Sequence, residues 1–281
     1  MISGSFREIV EQYEVVFFDS FGVLRNSDGL IPGVEKTFTF LREKDIDFYI
    51  LTNDASRGPK ELAEKFQDMG LEEITRSKII SSGMLARNYL RNKVKNGTVT
   101  YLGTDKSAHY IETAGLKTLR IKDLSLKDID HINALVLLDD EGYDWQDDIN
   151  KVINLLRMRN MPVIIANTDL TYPVSRSKIA LAVGALGDMI EEIVQKSFIR
   201  FGKPDAQMFN FAYEHVLNTR LVDKNKILMV GDTLKTDIIG GNKFGIDTVL
   251  VLTGNTPPEK AKMIIESTGI IPDYICSTAA I

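Results

Sequence analysis

Short apolar runs alternate with amphipathic stretches along most of this chain. The clearest run is Val15-Val16-Phe17-Phe18, which ends in Asp19-Ser20-Phe21-Gly22. Four consecutive apolar residues closed by a carboxylate and a glycine predict a strand buried on both faces. Runs at 48–51, 227–230 and 248–252 have the same character. Between them the period lengthens to that of a helix. One amphipathic helix is predicted over 35–44. Pro59 opens another that Gly70 is placed to close, and a third over 237–244 ends at Gly245. Strands alternating with helices predict a parallel sheet. The middle of the chain repeats the pattern, with strands at 98–102, 134–138 and 162–166 and helices at 106–113 and 147–160. Gly115 and Pro162 act there as breakers. The polar residues at its strand ends differ, so residues 83–187 are expected to form a smaller α/β unit inserted between 1–82 and 188–281.

Four polar groups punctuate the outer pattern. Asp19 follows the first run and Thr52-Asn53 the second. Gly202-Lys203-Pro204 precedes a helical stretch beginning near Asp205, and Gly231-Asp232-Thr233-Leu234-Lys235-Thr236-Asp237 follows the run at 227–230. Taken singly, each has a plain reading. An aspartate after a strand is commonly a turn or cap residue, and Gly-Lys-Pro is a loop. Taken together they matter, because parallel strands direct their carboxyl ends into one crevice. That crevice would gather three carboxylates (Asp19, Asp232, Asp237), the Lys203 ammonium and the Thr52 hydroxyl. Three close carboxylates repel one another and call for a cation. Hard oxygen ligands suit Mg²⁺, which accepts carboxylates together with a substrate phosphate. Lys203 can face that phosphate or neutralise a nucleophilic carboxylate. Thr52 and loop N–H groups can donate to phosphoryl oxygens, and Asp19 can attack phosphorus.

Composition narrows the partners. The chain has 281 residues, 44% hydrophobic and 26% charged, with a net charge of -5. No basic patch interleaved with aromatics is present, so nucleic acid is not an expected partner. No apolar run reaches the length of a membrane span. The lack of a leader pattern, together with the lone Cys276, points to the cytoplasm. His109, His131 and His215 are scattered and read as ordinary surface or capping residues. Tyr143 and Trp145 are expected to pack inside the middle unit, and Met158, Met161, Met208 and Met229 to fill core. Asp139-Asp140-Glu141 reads as a solvated acidic loop.

At these residues the chain resembles the haloacid dehalogenase superfamily, and within it class IIA, which holds the NagD-like and p-nitrophenyl-phosphatase-like proteins. Asp19-Ser20-Phe21-Gly22-Val23-Leu24 is similar to the first motif and Leu51-Thr52-Asn53 to the second. Gly202-Lys203-Pro204 is similar to the third, and the stretch from Gly231 to Asp237 to the fourth. Ile31-Pro32-Gly33, Asn167-Thr168-Asp169 with Tyr172-Pro173, and the continuation from Ile238 to Thr248 extend the likeness over the whole chain. The resemblance implies a Rossmann-like parallel-sheet core with an inserted α/β cap that closes over the site. It implies a Mg²⁺-dependent phosphatase working through an aspartyl-phosphate. Asp19 would be the nucleophile, with Lys203 beside it. Asp19, Asp232, Asp237 and the backbone carbonyl of Phe21 would serve the metal. Thr52, Asn53, Lys203 and the cap residue Asp169 would face a small phosphorylated metabolite. Exposed apolar residues of the cap could support a homodimer.

Phe21 breaks the pattern. Relatives usually carry Asp there, and its side chain protonates the leaving group and later activates water. Phenylalanine does neither. The expectation is a slow phosphatase, or one suited to good leaving groups, with Asp54 a nearby candidate acid. A phosphate-binding protein without turnover is the alternative. A carbon–halogen hydrolase is a remote one, since those enzymes also place an aromatic two residues after the nucleophile but use no Mg²⁺.

Overall fold

The computed structural model describes residues 2–175 and 178–281. Among these, seven parallel strands form one sheet in the order Ile2–Ser3, Tyr274–Cys276, Asp247–Val251, Ile227–Gly231, Val15–Phe18, Asp47–Thr52, Ile79–Ser81. Val15–Phe18 lies where the strand order reverses, the switch point at which open α/β sheets bind ligands. Side chains alternate across this sheet. Val16, Phe18, Ile50, Leu228 and Val230 pack on one face with Phe6, Phe38 and Phe66. Phe17, Tyr49, Leu51 and Met229 pack on the other with Met208 and Phe209. Both faces are covered, which is why the strands read as unbroken apolar runs.

Register sets up the site. Phe18 pairs with Val230 on one side and Ile50 on the other. Asp19, Thr52 and Asp232 therefore leave the same edge within one residue of each other. The helical turn Leu234–Ile238 runs into helix Ile239–Phe244. The helical stretch thus begins at Leu234, earlier than the 237 that the periodicity predicts, and Asp237 falls in its opening turn.

A second sheet carries five parallel strands among the described residues, in the order Ile199–Arg200, Val163–Ile165, Ile132–Leu137, Thr98–Leu102, Lys117–Arg120. Helices Asp147–Met158 and Val183–Val194 pack on it through Ile149, Val152, Leu155, Val183, Leu186 and Ile190. Residue 188, where the outer unit was expected to resume, lies inside the second of these helices. Phe198 joins the same cluster and Ile199–Arg200 adds a strand. A two-residue strand is too short to register as periodicity. The other face shares its apolar cluster with the first sheet, Tyr101 and Val136 packing in one body with Phe17 and Leu51.

Two expectations are corrected. Trp145 is 55% exposed and Met158 60% exposed, so neither fills a core. Met158 closes its helix on the solvent side, and Trp145 lies in the loop before it. Met208 and Met229 are buried, and Tyr143 and Met161 pack against the second cluster. No helix among the described residues is long and apolar enough to cross a membrane.

Candidate active site

Lys203 is 2% exposed, and its Nζ lies 2.6 Å from Asp19 Oδ1 and 2.7 Å from Asp237 Oδ1. Burial opposes its charge, but the two carboxylates outweigh burial and hold the ammonium above its ordinary pKa. Asp232 is also buried. Its Oδ2 accepts from the Asn255 N–H at 2.6 Å and its Oδ1 from the Thr233 hydroxyl at 3.0 Å. Asp237 accepts from the Thr233 N–H at 3.1 Å. Burial, then the charges of Asp19 and Asp237, push Asp232 well above the carboxylate range. Burial carries Asp237 up to about 7, against the pull of Lys203.

One oxygen each from Asp19, Asp232 and Asp237 lies within 4.8 Å of the others. Converging hard donors whose burial penalises their charge fit a divalent cation. Two glycines make room for them. A Cβ on Gly22 would sit 2.3 Å from Asp232 Oδ2, and one on Gly254 only 1.9 Å from it.

Asn53 does not face the ligand space. It is 2% exposed, its Oδ1 accepts from the Lys203 N–H at 2.7 Å, and its Nδ2 donates to Lys203 O at 3.1 Å. The same amide reaches Thr168 Oγ1 at 3.2 Å and Asp169 Oδ1 at 2.9 Å. Thr168 in turn donates to Lys203 O at 2.7 Å. A Cβ on Gly202 would come within 2.7 Å of Asn53 Oδ1, and its φ of 138° lies in the region glycine favours. The second motif thus supplies Thr52 to the cleft wall and spends Asn53 on the backbone of Lys203.

The cleft between the two sheets has a volume near 1250 Å³. Asp19, Phe21, Thr52 and Lys203 line it from the first sheet, Asp139 and Asp169 from the second, and Tyr172 from an antiparallel pair of strands, Thr171–Ser175 and Lys178–Leu181. Asp139 is 8% exposed and accepts from the Thr104 hydroxyl at 3.0 Å, so it is not the solvated residue expected of an acidic loop. Burial raises both Asp139 and Asp169 to about 6. Asn255 and Thr256 were missed by the sequence reading. They lie in the loop four and five residues past the strand Asp247–Val251, and they hold Asp232, with the Thr256 hydroxyl donating to its carbonyl at 2.7 Å. Their distance from the strand end hid them.

A folded-state pKa above the unfolded one stabilises at low pH, and that stability is lost as pH rises through the folded value. For Asp169 the loss falls between about 4 and 6. Asp169→Asn keeps an acceptor for Asn53 and removes the penalty. Denaturant unfolding at pH 8 is expected to show this variant more stable than wild type by up to about 3 kcal/mol, with the gap closing near pH 4. Equal stability at both pH values contradicts the assignment.

Comparison with known proteins agrees with this architecture. Residues 16–117 match the family model of haloacid dehalogenase-like hydrolases, and residues 200–278 match a second, HAD-hydrolase-like model. A crystal structure described as a possible sugar phosphatase of the HAD superfamily, from Cytophaga hutchinsonii, is 52% identical. It aligns over 100% of this chain and 99% of its own, with a TM-score of 0.96. Chronophin of Bos taurus is 26% identical, across 99% of this chain and 94% of its own length. Phosphoglycolate phosphatase 2 of Arabidopsis thaliana is 27% identical, across 99% and 95%. The chain belongs to the haloacid dehalogenase superfamily, in its class IIA.

Proposed function

We propose that this protein is a Mg²⁺-dependent phosphoric monoester hydrolase acting on a small phosphorylated metabolite. The observation that carries the reading is the Lys203 ammonium held between Asp19 and Asp237 at the sheet's switch point. Asp19, Asp232, Asp237 and the Phe21 backbone carbonyl would hold Mg²⁺. The bound ion would offset repulsion between carboxylate and phosphate. An Asp19 oxygen attacks phosphorus, the bond from phosphorus to the leaving oxygen breaks, and an aspartyl-phosphate forms. Lys203 and the Thr52 hydroxyl face the phosphoryl oxygens, and Asp169 bounds the site from the second sheet. Water then attacks phosphorus, releases phosphate and restores the Asp19 carboxylate. No proton reaches the leaving oxygen from residue 21. The leaving group must depart as an anion or take its proton from water or another acid, with Asp54 on the same wall.

The Phe21 side chain on the cleft wall also supports a second reading, phosphate binding without turnover. One assay separates the two. Wild-type protein is expected to release p-nitrophenolate from p-nitrophenyl phosphate in Mg²⁺ and to stop in excess chelator. Mg²⁺-linked phosphate binding by calorimetry with no release would favour the second reading. A turnover that ignores chelator would reject the metal site.

A further inference from the structure

Arg25 and Arg57 share the cleft wall with Phe21. Arg25 donates from Nε to Ser20 Oγ at 3.2 Å, and its guanidinium lies 5.4 Å from the Phe21 ring centroid. A turn holds it in place, the Gly22 N–H donating to the Arg25 carbonyl at 2.7 Å. Arg57 sits before the helix Pro59–Asp68. Its carbonyl accepts from the Tyr110 hydroxyl at 2.8 Å, and its Nε donates to Ser56 Oγ at 3.3 Å. Both side chains are half-buried.

What sets them apart is what they lack. Arg42, Arg120, Arg159, Arg200 and Arg220 each pair with a carboxylate. Arg25 and Arg57 make no ion pair among the described residues. Both line the same cleft, and the charge of Arg57 is felt by Arg25 and the charges of both by half-buried Lys65. Asp54 is the carboxylate that looks onto this group, with one oxygen already accepting from the Ser56 N–H at 2.8 Å. The Asp19 charge is taken up by Lys203. The two arginines thus enter the cleft beside a single neighbouring carboxylate, Asp54, and with no ion pair of their own among the described residues. Beyond the Nε contacts to Ser20 and Ser56, no protein acceptor is bonded to either guanidinium among the described residues, so these donors remain open to a ligand in the cleft. A planar guanidinium fork is suited to a two-point contact with an oxyanion.

We propose that Arg25 and Arg57 form a second anion subsite beside the phosphoryl site. The substrate is then a phosphate monoester that carries a further anionic group, a carboxylate or a second phosphate. The inference rests on the hydrolase reading for the position of the first phosphate, and its test is a binding measurement that needs no turnover. Calorimetry on the full Mg²⁺-loaded chain would compare propylphosphonate with 3-phosphonopropionate and propane-1,3-diphosphonate. At least one charged-tail ligand is expected to bind about tenfold more tightly than propylphosphonate, and the tighter of the two names the group. Arg25→Met keeps the stem over Phe21, and Arg57→Gln is a surface-proximal change. Each is expected to shrink that advantage about fivefold or more, while Arg25→Lys retains part of it. Equal binding of all three ligands, or an advantage that survives in the double variant, overturns the subsite. Turnover of p-nitrophenyl phosphate reads the hydrolase proposal separately. Turnover without a tail preference rejects the subsite alone. A tail preference without turnover rejects the hydrolase reading alone. Absence of both rejects both.

Discussion

Asp19→Asn is expected to lower phosphate release by about 10⁴-fold or more, because the amide offers no nucleophile to phosphorus. The variant should still fold. Asparagine keeps the shape of the side chain, and Lys203 retains Asp237 at 2.7 Å as a charged partner. It also removes one of three converging carboxylates, so the metal-free protein should melt no lower than wild type. Steady-state turnover and a thermal scan in chelator check the two halves together. Activity within tenfold of wild type would remove Asp19 as the attacking group. A collapse in melting temperature would show that the carboxylate was holding the fold instead.

Phe21→Asp is expected to move rates in the opposite direction. A positioned acid–base group contributes about 10²–10⁴ in rate, or about 3–5 kcal/mol of barrier. Residue 21 already lies on the cleft wall, so a carboxyl there meets the leaving group. The gain should appear with alkyl phosphates, whose alkoxides leave badly without a proton. It should be small with p-nitrophenyl phosphate, whose phenolate leaves unaided. Arg25, now over the Phe21 ring, would pair with the new carboxylate and favour its ionised form. That places the expected gain toward the lower end, about 10²-fold. A folded variant with unchanged alkyl-phosphate turnover would mean that another group already supplies the proton, and Asp54→Asn would then be the variant to measure.

Much of this was legible in the sequence, for a physical reason. A strand covered on both faces must be apolar along its length, so the first polar residue after it marks the sheet edge. Asp19, Thr52 and Asp232 were found that way, and the register puts them together. The rule failed where the signal was a backbone contact. Asn53 reads as a ligand residue and is instead consumed by the main chain of Lys203. Asn255 and Thr256 escape the rule, because Leu252-Thr253-Gly254 separate them from the strand that ends at Val251. Asp139 looked like part of a solvated run, because nothing nearby in sequence announces that Thr104, 35 residues earlier, will cover it. The extent of the second sheet was missed because Ile199–Arg200 joins it by pairing rather than by pattern. Arg25 and Arg57 are unremarkable as letters, and only the missing partners distinguish them.

The Asn53 amide is a tie between the two halves of the cleft. One side chain fastens the turn that carries the ammonium and, through Thr168 and Asp169, the base of the upper sheet. Tilting the upper half at that point would tug on the peptide of the lysine itself. One amide therefore serves both purposes, so a change at residue 53 would loosen the seam between the sheets and the seat of the ammonium together.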